Sequence, residues 1–277
     1  MRIATPGHAA FAAVMIALGI LGLAKGDFTP IWAGVPKGFP AREALAYLCA
    51  FVSLLAGLGL LWRRTAVVAA GLLLIYLLAW LLLVRVAHIF VAPAATDTWW
   101  ACGETAVMAA AAWVLYVWFS SDRGGSRPSF GVGDSGPRIA RALYGLGLIP
   151  FGMAHFTYLK ETVVLVPDWL PWHVAWAYFT GAALIVAGVA VLTDVYARLA
   201  ETLSALEMGL FTVLVWIPIV LAGATAFQWH EFVDSCALTA AAWVVAESYR
   251  GVPWFAVRAR ASSASSSSEP RPAARRT

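Results

Sequence analysis

Lys25, Glu104, His155 and Asp234 are ionisable side chains set at the ends of long apolar stretches. Each needs a reason to be there, because a charged group held within a bilayer costs at least a few kcal/mol. A base and an acid at the same end of a helical bundle can pair as a charge clamp. They can instead line a polar pocket for a small anion, a proton or a quinone head group, or stand in solvent without a partner. The candidate pocket is Lys25, Glu104, His155 and Asp234 with Tyr178. Glu207 is a separate intramembrane acid, roughly 12 Å along its helix at 1.5 Å per residue. It is open to pairing with Arg141 or Arg198, or to a proton or substrate role. Arg85 and His88, one turn apart, read as membrane-interface anchors. His230 and Glu231 are adjacent, so on a helix they point about 100° apart and make a poor ligand pair. No metal site is expected. Cys49, Cys102 and Cys236 form no CxxC, which leaves neither a dithiol nor a zinc spacing. Gly131-Val132-Gly133 follows no strand and makes no nucleotide loop, and no nucleophile stands beside a base. No catalytic residue stands out, and the sequence leaves open whether the protein is an enzyme.

The elements that carry these residues are membrane helices. Of 277 residues, 61% are hydrophobic and 12% charged, against about 25% charged in soluble domains. The runs Ala66 to Val84 and Val174 to Leu192 are apolar and uncharged, and a bilayer core of about 30 Å takes roughly 20 helical residues. Their continuity excludes a β-barrel, which would alternate. The predicted fold is an all-α polytopic membrane protein of two parallel four-helix transmembrane bundles, eight transmembrane helices in all. Residues 1–119 form the first module, 120–137 a cytoplasmic linker, 138–250 the second module and 251–277 a disordered cytoplasmic tail. The spans fall near 8–24, 42–62, 65–89, 99–119, 139–157, 173–193, 199–225 and 230–249. The formal charge of +4 resides in scattered arginines without a basic face, so no nucleic-acid partner is expected. The Lys/Arg bias puts both termini and the linker in the cytoplasm, and Lys25, His155, Glu104 and Asp234 toward the outer face. Gly57/Gly59, Gly145/Gly147 and Gly181/Gly188 should let helix backbones approach closely. Trp32, Trp62, Trp99, Trp100, Trp169, Trp172 and Trp229 read as an interfacial belt.

The modules read as copies of one another. A shift of 131 carries Val35, Pro36 and Pro40 onto Val166, Pro167 and Pro171, and Tyr47 onto Tyr178. A shift of 130 carries Trp99 onto Trp229, Glu104 onto Asp234, and Ala110–Val114 onto Ala240–Val244. Two four-span modules in tandem enter the membrane in the same direction, so the repeats are parallel.

Gly152, His155, Phe156, then Val166, Pro167, Trp169, Leu170 and Pro171, then Tyr178, Thr180 and Gly181 make up a pattern that resembles the DoxX-like family of four-helix membrane proteins. Gly22, Ala24 and Lys25 resemble the family's Gly-x-x-Lys variant of the first helix end. The resemblance covers about 40 residues well and the rest in hydropathy. It implies a four-helix bundle per module, the bacterial cytoplasmic (inner) membrane and relatives in quinone-linked sulfur oxidation or thiol and oxidative-stress systems. The family usually carries a Glu where this chain has Leu184 and, in the first module, Ser53, a departure that counts against an active oxidoreductase. Three functions therefore stand open. The preferred one is an accessory or small-molecule-binding protein with an outer-face polar pocket, its partner the lipid bilayer. The second is a quinone-linked oxidoreductase subunit with a membrane or soluble redox partner, quinone being its cofactor. The third is a small-solute transporter, which charged residues facing the junction between modules, rather than each module's own centre, would favour.

Overall fold

A computed structural model describes residues 5–121 and 135–257. Most of the linker, and the tail beyond 257, lie outside the described residues. Within them every regular element is helical, apart from one isolated antiparallel bridge between Val195 and Val257. The eight long helices are α1 (Pro6–Lys25), α2 (Arg42–Leu60), α3 (Ala66–Val91), α4 (Thr96–Ser121), α5 (Ser135–Thr157), α6 (His173–Thr193), α7 (Ala197–Leu221) and α8 (Ala226–Glu247). Six of them, α1 to α4 with α6 and α7, are long and apolar enough to cross a membrane. α5 and α8 fall short, α5 through its arginines, glycines and Pro150, and α8 through His230, Glu231, Asp234 and Glu247.

Local chemistry sets the helix ends. Thr5 caps α1 by accepting from the His8 amide, Pro6 occupies the first turn, and Gly26 closes the helix at φ 64° with its N–H on the Gly22 carbonyl. Thr225 and Gln228 form a capping box at the start of α8. α3 and α7 share an irregularity, a π-helical turn at Leu81–Arg85 in one and Phe211–Trp216 in the other. Beyond α1, the Phe28 amide donates to Asp27 Oδ1 at 2.7 Å, and Arg42 lies 2.8 Å from the same oxygen. Together they hold the Asp27 carboxyl below its ordinary range and fasten the loop to α2.

The packing differs from two self-contained bundles. α1 lies against α2 and α8, and α4 lies against α3, α5 and α8. The α1–α4 edge that would close a first bundle is replaced by α1–α8, and the main partner of α5 toward the first half is α4. Small residues explain the choice. A Cβ on Gly103 would come 2.8 Å from the Gly147 carbonyl oxygen, and one on Gly147 would come 2.9 Å from the Gly103 oxygen, so α4 and α5 touch backbone to backbone. The expected close approach of α5 and α6 is present in the same form. A Cβ on Gly188 would reach the Gly145 oxygen at 2.7 Å, and one on Gly181 the Gly152 oxygen at 2.9 Å. At the end of α1, the Gly7 amide donates to Glu247 Oε1 at 3.3 Å, tying α1 to α8.

The first interfacial loop is not on the surface. Pro30–Trp32 forms a 3-10 turn that enters the bundle, and Trp32 is 0% exposed. Its indole donates to Ser53 Oγ at 2.8 Å and meets Tyr76 and Trp80 edge to face. Trp32 therefore leaves the expected belt because its ring is buried between Ser53 of α2 and the Tyr76 and Trp80 rings of α3. The second loop contains no such plug, and Trp169 and Trp172 are exposed.

Candidate functional site

α4 and α8 run side by side at the middle of the molecule, and Glu104 and Asp234 meet there. The two carboxyls lie within electrostatic range of each other, so ionising both sets like charges side by side. Asp234 is 5% exposed and its Oδ1 has no hydrogen-bond partner. Arg85, on the π turn of α3, supplies the cation. It is 6% exposed, donates from Nε to Thr105 Oγ1 at 3.2 Å and from Nη2 to the Ile31 carbonyl at 3.4 Å, and sits 3.8 Å from Glu104 Oε2. The buried loop and α4 thus hold one guanidinium against two acids. Gly34, at φ 107°, leaves room for it, since a Cβ there would meet Arg85 Nη1 at 3.1 Å. Glu231 lies in electrostatic range of both acids, and His230 in range of Arg85 and Lys25. The Trp100 indole N–H lies near Glu104 but outside hydrogen-bonding geometry. Among the described residues no three His, Cys, Asp or Glu side chains gather as a metal site.

The sequence-derived residues are distributed more widely than the pairing of Lys25 with Glu104 and of His155 with Asp234 requires. Lys25 is exposed at the end of α1, and the ion pair of Glu104 is with Arg85. His155 turns toward α7. Its Nδ1 lies 2.9 Å from the Phe151 carbonyl and its ring stacks on Phe211 at 5.9 Å between centroids. Tyr178 is half exposed, against Phe156 at 5.6 Å. Glu207 is partly buried on α7 with Oε1 unpartnered. Arg85 is a correction: the expected interface anchor is a buried ion-pair partner, while His88, which bonds the Val84 carbonyl, stays exposed. The chain held a usable signal. Arg85 and Glu104 lie at nearly equal distances either side of the Ala92–Ala95 turn, so an antiparallel hairpin sets them level.

No family, curated protein or solved structure matches this chain. The site is therefore read from its own geometry.

A second polar region occupies α5, α7 and the C-terminal end of α8. Glu201 is 0% exposed, and neither carboxyl oxygen has a partner. Tyr144 hydroxyl and Ser204 Oγ are 2.9 Å apart, and Ser204 also donates to the Glu201 carbonyl. Arg141 lies over the Tyr249 ring at 3.9 Å and donates to Ser248 Oγ and to the Ser248 carbonyl. Further along α7, Thr212 Oγ1 contacts Ser235 Oγ at 2.7 Å and Thr239 Oγ1 at 2.9 Å. Sequence reasoning missed Glu201, although Glu201, Ser204, Met208 and Thr212 recur at helical spacing on one face of α7.

Proposed function

We propose that this chain is an integral membrane protein of eight spans, made of two parallel DoxX-like repeats, that transports a small cationic solute through a binding site at the junction between the repeats. The observation that carries this reading is the meeting of Glu104 and Asp234, positions 130 apart, across the α4–α8 contact rather than within separate bundles. The matching π turns of α3 and α7 support the repeat. α5 and α8 are polar, yet they are 23 and 22 residues long, enough for a core of about 30 Å, and each is flanked by apolar spans. Two acids against one guanidinium leave a net negative charge once both are ionised, which suits a small cation. Parallel repeats meeting at a polar site suit alternating access. The Lys/Arg bias supports an orientation with both termini in the cytoplasm, and the DoxX-like resemblance implies a bacterial inner membrane.

The test uses the purified full chain in detergent. Its thermal unfolding is followed with sodium, potassium, methylammonium and choline in turn, with native mass spectrometry for co-purified small molecules. At least one cation should raise the unfolding temperature, and Asp234→Asn and Glu104→Gln should fold but lose that rise. The reading fails if no cation shifts the wild type and no small molecule co-purifies. Cysteine placed at Lys37 or Asp168, in a background lacking the native cysteines, should react with an impermeant thiol reagent from outside the cell, and cysteine at Arg63 or Arg250 should not.

A further inference from the structure

We propose that α7 carries a proton path through the second half of the protein, from Glu201 at the inner end, through Ser204 with Tyr144, Glu207 and Thr212, to Asp234 at the junction. The proposal rests on the eight-span orientation and names the proton as the species coupled to the junction site.

The fold does not require these groups. The buried face of α7 is Glu201, Ser204, Met208 and Thr212; shifted by 131, the corresponding positions of α3 are Ala70, Leu73, Leu77 and Leu81, all buried as well. Glu207 corresponds to Tyr76. The buried face of the same kind of helix is thus hydrocarbon in one half and carries an acid and two hydroxyls beside Met208 in the other. The first half also receives the Trp32 plug, and the second does not.

Both oxygens of Glu201, Oε1 of Glu207 and Oδ1 of Asp234 are buried without a hydrogen-bond partner, with Arg141 in electrostatic range of Glu201 and Arg85 and Glu104 in range of Asp234. An ionised carboxylate without donors in an apolar interior is expensive, whereas a neutral one that gains and loses a proton is the usual content of an intramembrane relay. Hydroxyls and protonated carboxyls both donate and accept, so they can pass a proton, and they gather here in two hydrogen-bonded groups. The Tyr144–Ser204 pair lies beside Glu201, with the Tyr144 hydroxyl in electrostatic range of both Glu201 and Glu207. Ser235 of the Thr212–Ser235–Thr239 group follows Asp234 on α8, about 100° round the helix, so the last transfer to Asp234 runs through a water or a side-chain rotation. Met208 separates the two groups, and Glu207, adjacent to it, is the carrier across that layer. From Glu201 to Thr212 the helix rises about 16 Å, half the apolar thickness.

The proton balance is simple. A proton from the inner water binds the Glu201 carboxylate. Each hydroxyl on the way accepts one proton and releases another, Glu207 takes one up and gives it on, and the Asp234–Glu104 pair releases one outward. No electron moves and no covalent bond other than O–H is made or broken.

The experiment uses full-length protein in sealed vesicles holding a pH-sensitive dye, with a potassium gradient and valinomycin to impose a potential. Wild-type vesicles should change internal pH faster than protein-free vesicles. Glu201→Gln and Glu207→Gln should fall to the protein-free rate, Tyr144→Phe should be slowed, and Glu43→Gln, exposed on α2, should match wild type. If Glu201→Gln does not purify as a folded protein, Glu207→Gln and Tyr144→Phe decide. A wild-type rate equal to protein-free vesicles, or an undiminished rate in Glu207→Gln, overturns the path. The cation-induced thermal shift is measured on the same preparations. A shift retained without proton flux overturns the path alone, and flux with neither a shift nor a co-purified small molecule overturns the junction reading alone.

Discussion

Arg85 is held by three groups from two parts of the chain: Thr105 and the Glu104 carboxylate on α4, and the Ile31 carbonyl of the buried loop. Removing it leaves Glu104 and Asp234 facing each other with no cation, and breaking a buried pair by deleting one partner costs about 3–5 kcal/mol. Arg85→Ala should therefore lower the unfolding temperature in detergent markedly. Lys25→Ala, at an exposed position, should change it little, and a double-mutant cycle of Lys25 with Glu104 should be additive. A large coupling in that cycle would instead restore the Lys25–Glu104 clamp. At this scale the acids were visible in the sequence, since carboxyls in apolar helices are conspicuous. Their partner was legible only through the hairpin spacing that sets Arg85 level with Glu104, because taken alone Arg85 could equally have reached toward water from its helix.

Close helix contacts here depend on glycine rather than on side-chain interlock. α5 meets α6 through Gly145 with Gly188 and Gly152 with Gly181, and it meets α4 through Gly147 with Gly103. Gly181→Leu would drive a side chain against the Gly152 carbonyl and the His155 Cβ, 2.6 Å from the Cβ position. It should abolish recovery of monodisperse protein, whereas Gly38→Ala, with nothing within 4 Å, should leave recovery unchanged. Size-exclusion profiles of the two variants check this. The helices and their glycine faces followed from composition and spacing. The burial of Pro30–Trp32 did not, because a Trp beside a span end reads as an interface residue until a cavity is there to take its ring.

The two halves of the molecule are joined by more than their linker. α1 lies on α8, α4 lies on α5, and α4 and α8 meet in the middle. Residues 1–121 and 135–277 expressed separately should each be degraded or aggregate, and should co-purify when expressed together. Two independently stable halves would mean that each closes its own bundle. The all-helical class, the apolar spans and the paired positions of Glu104 and Asp234 could be read from the chain, because hydropathy and spacing are properties of each segment alone. Which helix closes against which was decided only in three dimensions. A four-helix closure and an exchange across the junction bury similar apolar faces, and lipid is as apolar as either. The choice therefore falls to backbone contact at glycines and to where one buried arginine finds its acids, and neither depends on a single segment.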